Sequence, residues 1–470
     1  MQKSAHWPAD PVRAAIWAIL ALTAWRLALM PFSRLELFVD EAQYWLWGRE
    51  LAFGAYSKPP LVGWLIRAAN EIAGSDAPWV ARLPWPICHA IAALAVLALG
   101  RRLAPPDVAA LAGVTYATLP AISLGSLLIS TDSPMLMFLA LSLLLWHRQA
   151  AGAGRLNALA LGAAIGLAMM SKYAMLFALA GLAVTAIWPA WRLRLTDLLI
   201  VALTALLVLA PNLIWNMQHD MATMRHTAEN ADFHGLALHP DLALRFLAEQ
   251  FVVAGPVVFA AIVLGLRRGP LAVLTAAPLL ICTLQALNAG ANANWAVGAY
   301  VSGAILAALV LSRRWAIASL AINGTLALAL PLVAIAADHL RRADGSPMLD
   351  RYVGVEAPMT AALNRITENR QAPALVISDD RAVLAQLFYL TRRDHWEGVT
   401  VRALPAKDRA PNSHYELLYP LTTQPGPGWL VTDTAPACAA QTAVLDGKMR
   451  LYRLDQVCLD QMRSIASAIP

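Results

Sequence analysis

Residues 38–64 read FVDEAQYWLWGRELAFGAYSKPPLVGW and lie between two strongly apolar segments. The stretch holds an adjacent acid pair, Asp40-Glu41, an aromatic cluster of Tyr44, Trp45 and Trp47, and a single lysine, Lys58, directly ahead of Pro59-Pro60. On both sides of it the chain is too apolar for water. Hydrophobic residues make up 59% of the 470, charged residues 14%, and mean hydropathy is +0.55. Water cannot solvate that much apolar surface, so the composition excludes a soluble multidomain protein and indicates a polytopic, mainly α-helical membrane bundle. The net charge of +6 then reads as loop cations at a membrane, not as a nucleic-acid footprint.

A spanning helix needs about 20 apolar residues. Eleven segments qualify: 13–31, 79–100, 107–124, 127–146, 156–171, 173–189, 196–215, 246–266, 270–288, 294–311 and 315–337. The 156–189 run is divided because Ser171-Lys172-Tyr173 interrupts it, and a lysine at the bilayer centre is costly. With eleven crossings, Arg101-Arg102, Arg148 with Arg155, Arg192 with Arg194, Arg267-Arg268 and Arg313-Arg314 share a side with Lys3 and Arg13. The positive-inside rule makes that side cytoplasmic. A ten-span count breaks the pattern. The outer side, the periplasm of a Gram-negative cell, then carries 38–64, Ser130-Thr131-Asp132, Ser171-Lys172, the 216–245 loop, Asn292 to Trp295 and the C-terminal tail. The apolar run from Ala14 to Met30 has no convincing cleavage site after it and reads as a retained first span.

The chain divides into a transmembrane bundle over 1–337, with its first external loop at 32–78, and a tail over 338–470. The tail is richer in charges and turns. Leu375 to Ser378, Trp429 to Thr432 and Leu451 to Leu454 read as strands and Arg381 to Leu390 as a helix, which predicts a small α/β domain. Cys88 and Cys282 lie in apolar runs as small core residues. Cys438 and Cys458 can pair if the tail is extracytoplasmic. There is no internal repeat, P-loop or Gly-rich dinucleotide motif.

Each polar point has a plain reading beside a chemical one. Asp40-Glu41 opens a helix, where acids satisfy free backbone N–H groups; a carboxylate at a membrane surface also suits a general base, because burial raises its pKa toward neutrality. Tyr44, Trp45, Trp47 and Trp64 suit a headgroup-level aromatic belt. Lys58, ahead of two prolines, stands at a helix N-terminus. It is either a snorkelling lysine or a phosphate ligand. Thr131-Asp132-Ser133-Pro134 fits a helix cap, and Lys172 a hairpin tip. His219, His226, His234 and His239, with Asp220, Glu229 and Asp232, match no metal-ligand spacing and read as a solvated loop, so no cofactor is expected, a divalent metal being the alternative. Carboxylates and lysines gathered on one membrane face point to chemistry on a phosphorylated, lipid-linked substrate.

The motifs carry a resemblance. Asp40 to Trp47 followed by Tyr56-Ser57-Lys58-Pro59-Pro60 resembles the first external loop of the protein-O-mannosyltransferase-like family of GT-C glycosyltransferases, which includes bacterial aminoarabinose transferases and lipid A and core galacturonosyltransferases. Ser130 to Pro134, Ser171-Lys172-Tyr173, Pro211 to Asn216 with Gln218-His219, and Asn294-Trp295 before Ala299-Tyr300 are similar to its later signatures. The likeness covers roughly 10–340. It implies a polyprenyl-phosphate sugar donor, an envelope acceptor such as lipid A or core oligosaccharide, and an inverting transfer at the outer face of the inner membrane. Transferred residue by residue, it makes Asp40 the catalytic carboxylate with Glu41 supporting it. Lys58 and Lys172 become donor-phosphate ligands, and Tyr44, Tyr56, Asp132, Tyr173, His219, Asn294 and Trp295 line the substrate cavity. Aminoarabinose transferases carry an acid before the lysine where this chain has Ser57. That leaves an acidic sugar such as galacturonic acid at least as plausible, with Lys172 and the basic outer residues as partners for its carboxylate. A flippase of lipid-linked sugars would share the bundle without needing a catalytic carboxylate or an external domain. A protein O-mannosyltransferase and a structural subunit are the other readings.

Overall fold

The computed structural model describes residues 10–231, 238–267, 269–368, 373–404, 411–421, 428–434, 438–446 and 449–466. Each expected span corresponds to helix. Pro11–Phe32, Pro78–Leu103, Pro189–Gln218, Gly269–Ala289 and Arg313–Ile335 are long and apolar enough to cross a bilayer by themselves. Arg155–Ser171, Met175–Thr185 and Ala299–Val310 are apolar but shorter. Helix length alone therefore supports five crossings outright, and the bundle is a multi-pass membrane structure.

Not every expected span is continuous, and 107–124 falls on Pro106–Thr118 and Pro120–Gly125. The segment 246–266 falls on two helices, Pro240–Val253 and Pro256–Gly265, which meet at 116°. Gly255 adopts φ +85°, a conformation that L side chains rarely take, and Pro256 opens the second helix. The apolar periodicity runs through this break, whereas the left-handed glycine and the proline turn the backbone there.

The bundle core is built from small and branched side chains, with Ala92, Ala93, Ala112, Ala299, Ala304 and Ala307 fully buried. Small residues let apolar helices approach closely where lipid supplies no hydrophobic drive between them.

Beyond the bundle the chain forms a five-stranded sheet. Strands β1 (Ala374–Ser378), β2 (Val399–Ala403), β3 (Gly428–Thr432), β4 (Ala440–Asp446) and β5 (Met449–Leu454) lie in the order β2-β1-β3-β5-β4. β1 pairs in parallel with β2 and β3, and β5 pairs antiparallel with β3 and β4. Cys438 and Cys458 form a disulfide across a separation of 20 residues, and Cys88 and Cys282 are buried free thiols.

The sheet unit docks on the 38–64 stretch through its Arg381–Arg393 helix. Trp45 meets Tyr389 edge-on at 5.0 Å, and Tyr389 Oη donates to Asp76 O at 2.8 Å. Leu37, Trp45, Leu46, Leu384, Leu387 and Phe388 belong to one apolar cluster shared by the two units. The headgroup-belt reading of Tyr44, Trp45 and Trp47 is corrected here. All three are buried, because the C-terminal unit covers the helix face that a lipid surface was expected to cover.

Candidate active site

The acid pair sits in the first turn of the Val39–Glu50 helix, and its members have different surroundings. Successive helical residues are turned by about 100°, so the two side chains leave on different faces. Asp40 lines a cavity of about 1340 Å³ at one end of the bundle, together with Tyr44, Lys58, Asp132, Lys172, Asn294 and Trp295. Glu41 is 0% exposed and is not part of the cavity wall. It pairs with the equally buried Arg82, whose Nε donates to Glu41 Oε1 at 2.9 Å. The same carboxylate accepts the backbone N–H groups of Ile129 at 2.7 Å and Phe38 at 3.3 Å. Arg82 spends its other donors on Leu35 O and Glu36 O. The capping reading of the acid pair thus belongs to Glu41 and the cavity to Asp40. Glu41 supports Asp40 only by holding the helix start and the 129 segment in place.

Lys58 stands where the prolines predict, three residues ahead of the Leu61–Ala73 helix. The loop that delivers it is pinned from a distance. Asn212 Nδ2 donates to Phe53 O at 2.8 Å and Thr223 Oγ1 to Ala55 O at 2.7 Å. A Cβ on Gly54 would come within 2.2 Å of the Trp215 ring, so the backbone lies flat against the indole and only glycine fits. Lys58 Nζ has no hydrogen-bond or ion-pair partner among the described residues. Its pKa is lowered to about 8, first by burial and then by the charge of Lys172.

Across the cavity, Asp132 opens the Asp132–Ala150 helix and Lys172 occupies the break after Arg155–Ser171. They form an ion pair at 2.7 Å. The other carboxylate oxygen accepts from Asn294 Nδ2 at 2.9 Å and from Ser130 Oγ at 3.2 Å. Lys172 is therefore committed to Asp132, while Lys58 is open to an anion. Of the two lysines expected to hold the donor phosphate, Lys58 is the one whose ammonium is unpaired among the described residues.

Three expected cavity residues stand elsewhere. Tyr173 Oη donates to Asn212 Oδ1 at 2.5 Å and accepts from Asn216 Nδ2 at 3.3 Å. His219 stacks on Trp215 at 4.0 Å. Tyr56 is buried against His226, with ring centroids 5.1 Å apart. None of the three lines the cavity; their motif positions fix the loop that carries Lys58. Burial, and next the Lys58 charge, push His226 down to about 4, which keeps its ring neutral. His234 and Asp232 lie outside the described residues. Among the described residues no group of three or more His, Cys, Asp or Glu could hold a metal ion.

Sequence reasoning missed Arg381. Its guanidinium, at the start of the Arg381–Arg393 helix, forms an ion pair with Asp40 and donates from Nε to Gln43 Oε1 at 2.9 Å. Nothing local signals this contact, because 341 residues separate the partners. It also missed the far wall, where Arg245 and Glu249 pair at 2.9 Å beside Phe246 and Val253. There the i, i+4 spacing was legible, but the cavity was not.

Comparison with known proteins gives the family and the fold. The family described as dolichyl-phosphate-mannose-protein mannosyltransferase matches residues 57–215. The chain is 37% identical to the lipid A galacturonosyltransferase RgtD of Rhizobium johnstonii over 457 residues, covering 92% of this chain and 93% of that protein. Its fold is that of ArnT from Cupriavidus metallidurans. The form bound to undecaprenyl phosphate superposes with a TM-score of 0.66 at 14% identity, over 94% of this chain and 97% of the other. The apo form gives 0.64 over 94% and 98%. With its GT-C bundle, small C-terminal sheet unit and near full-length relative, the chain belongs to the protein-O-mannosyltransferase-like family of membrane glycosyltransferases.

Proposed function

We propose that this protein transfers galacturonic acid from a polyprenyl-phosphate carrier to lipid A at the periplasmic face of the inner membrane. The observation that carries the reading is an unpaired lysine, Lys58, beside a half-exposed carboxylate, Asp40, in one large cavity. The carrier and acceptor classes follow the undecaprenyl phosphate bound by the ArnT fold and the substrate named for the RgtD relative. The arginine-rich loops opposite the cavity support the periplasmic side, and so does the Cys438–Cys458 bond, since disulfides persist in oxidising compartments.

In this mechanism the phosphate is already a good leaving group. It needs its growing charge neutralised, and the Lys58 ammonium supplies that from a fixed position. Asp40 takes the proton of an acceptor hydroxyl as it attacks the anomeric carbon from the face opposite the phosphate, which inverts the configuration. Toward an acceptor phosphate, which is already anionic, Asp40 orients instead of deprotonating. The Asp132–Lys172–Asn294 cluster is internally neutralised and shapes the wall.

Incubation of the full-length protein, in lipid nanodiscs, with undecaprenyl-phosphate-galacturonic acid and lipid A is the test. Mass spectrometry should show lipid A gaining one galacturonosyl residue. Consumption of a different polyprenyl-phosphate sugar, with this donor untouched, sinks the sugar assignment.

A further inference from the structure

Two lysines, Lys58 and Lys172, line the cavity beside Asp40, and Arg381 of the sheet unit meets the same Asp40 carboxylate in an ion pair. A galacturonosyl phosphodiester brings two separate negative charges, the phosphate and the sugar carboxylate. Lys58 serves the first. The second needs its own cation, and it has to lie within a sugar ring's width of the anomeric carbon, where the hydroxyl deprotonated by Asp40 attacks.

Lys172 is not available for it, since its ammonium is 2.7 Å from Asp132 in a pair whose side chains are 15% and 13% exposed. Arg381 is available. A guanidinium has five N–H donors in a planar fork. Nε is used on Gln43 and one Nη2 donor on Asp40. The two donors of Nη1 and the second of Nη2 have no acceptor among the described residues, and the side chain is 43% exposed. The open Nη1–Nη2 edge is the one that grips a carboxylate with two parallel hydrogen bonds.

The base of this side chain is held firmly. Asp380 Oδ1 caps its helix by accepting from Ala382 N at 2.7 Å and Val383 N at 2.9 Å. The Trp45–Tyr389 contact and the apolar cluster around it seal that helix to the one carrying Asp40. The fork and the catalytic carboxylate are therefore set by one packed interface between the sheet unit and the bundle.

We infer that Arg381 is a specificity-determining residue, through which the C-terminal unit recognises the carboxylate of an acidic sugar on the lipid-linked donor. The inference rests on the galacturonosyl reading above. It gives the sheet unit a direct part in the site, through a guanidinium that meets Asp40 itself, whereas the bundle's Arg245 stands on the far wall paired with Glu249.

The experiment compares wild type, Arg381→Gln and Arg381→Lys at full length in nanodiscs. Each receives undecaprenyl-phosphate-galacturonic acid and its neutral counterpart, undecaprenyl-phosphate-galactose, with lipid A as acceptor. Losing a bidentate charged contact should raise KM for the acidic donor about 10- to 100-fold in Arg381→Gln. Loss of the ion pair to Asp40 should lower kcat for both donors alike, so the reading is the acid-to-neutral ratio of kcat/KM, which collapses toward one. Arg381→Lys, which keeps the charge but loses the fork, should fall between. Inhibition by sugar-free undecaprenyl phosphate should be unchanged in all three, which also reports that each variant is folded. A wild-type preference that survives intact in Arg381→Gln overturns the assignment and leaves the galacturonosyl reading standing. A wild type that uses the neutral donor and ignores the acidic one overturns both.

Discussion

The two faces of the Val39–Glu50 helix carry neighbouring carboxylates with opposite surroundings. On the cavity face Asp40 is 37% exposed and meets Arg381, which is 43% exposed. On the packed face Glu41 is fully buried, pairs with an arginine that is 1% exposed, and also accepts two backbone N–H groups. Burial makes the second acid stronger as a structural tie and useless as a reagent, because no substrate reaches it. Partial exposure makes the first weaker as a tie and available for chemistry. An exposed ion pair contributes roughly 0–1 kcal/mol, whereas removing one partner of a buried pair costs about 3–5 kcal/mol by leaving a charge unmatched.

That contrast breaks most sharply with paired amide substitutions. Asp40→Asn should lower kcat about 10²- to 10⁴-fold, the usual contribution of a general base, while thermal unfolding stays within experimental scatter of wild type. Near-wild-type turnover in Asp40→Asn would falsify the base assignment. Glu41→Gln should do the reverse. It leaves Arg82 buried without its counter-charge, so we expect a loss of about 3–5 kcal/mol of stability. That loss is read as a lowered melting temperature and poor recovery of monodisperse protein from size-exclusion chromatography, with turnover per folded molecule largely kept. Equal stability losses in the two variants would dissolve the distinction.

Lys58 extends the comparison to the third residue of the stretch. Lys58→Ala should weaken binding of undecaprenyl phosphate about 10- to 100-fold, as expected for one charge-assisted contact. The fold should survive, since the loop is held by its backbone carbonyls through Asn212 and Thr223. The smallest expected effect is in pH dependence. Burial and the neighbouring Lys172 lower Lys58 to about 8. In the proposed role, the ammonium that holds the phosphate is therefore complete below that pH and is lost as pH rises through it. The value of kcat/KM for the donor, which reports the free enzyme, should be level below about 8 and fall above it. In Lys58→Arg the decline should disappear, because a guanidinium stays charged; a decline that persists points to another group.

Much of this was legible along the chain. The apolar segments mark the helices, the proline pair marks the helix start behind Lys58, and the run from Leu375 to Ser378 marks β1. These are local effects, carried by hydrophobic periodicity and by proline's fixed φ. The break at Gly255 was missed because a periodic apolar pattern reports burial and not backbone direction. Tyr173 and His219 lie away from the cavity wall; motif residues that shape a loop and those that touch a substrate look alike in one dimension.

The family resemblance singles out Asp40, Lys58, Asp132 and Lys172, and the chain read alone places this protein in a bilayer and gathers its polar residues at a few loop and helix starts. Composition and spacing suffice for that, because water, lipid and helix termini act on each segment separately. Only the tertiary structure decided which acid of the pair faces the cavity, which lysine is left unpaired and which arginine joins them. Those outcomes depend on contacts between residues as far apart as Asp40 and Arg381. Charge pairing in a low-dielectric interior is decided by which groups end up within a few ångströms of one another, and that proximity is a property of the packed fold.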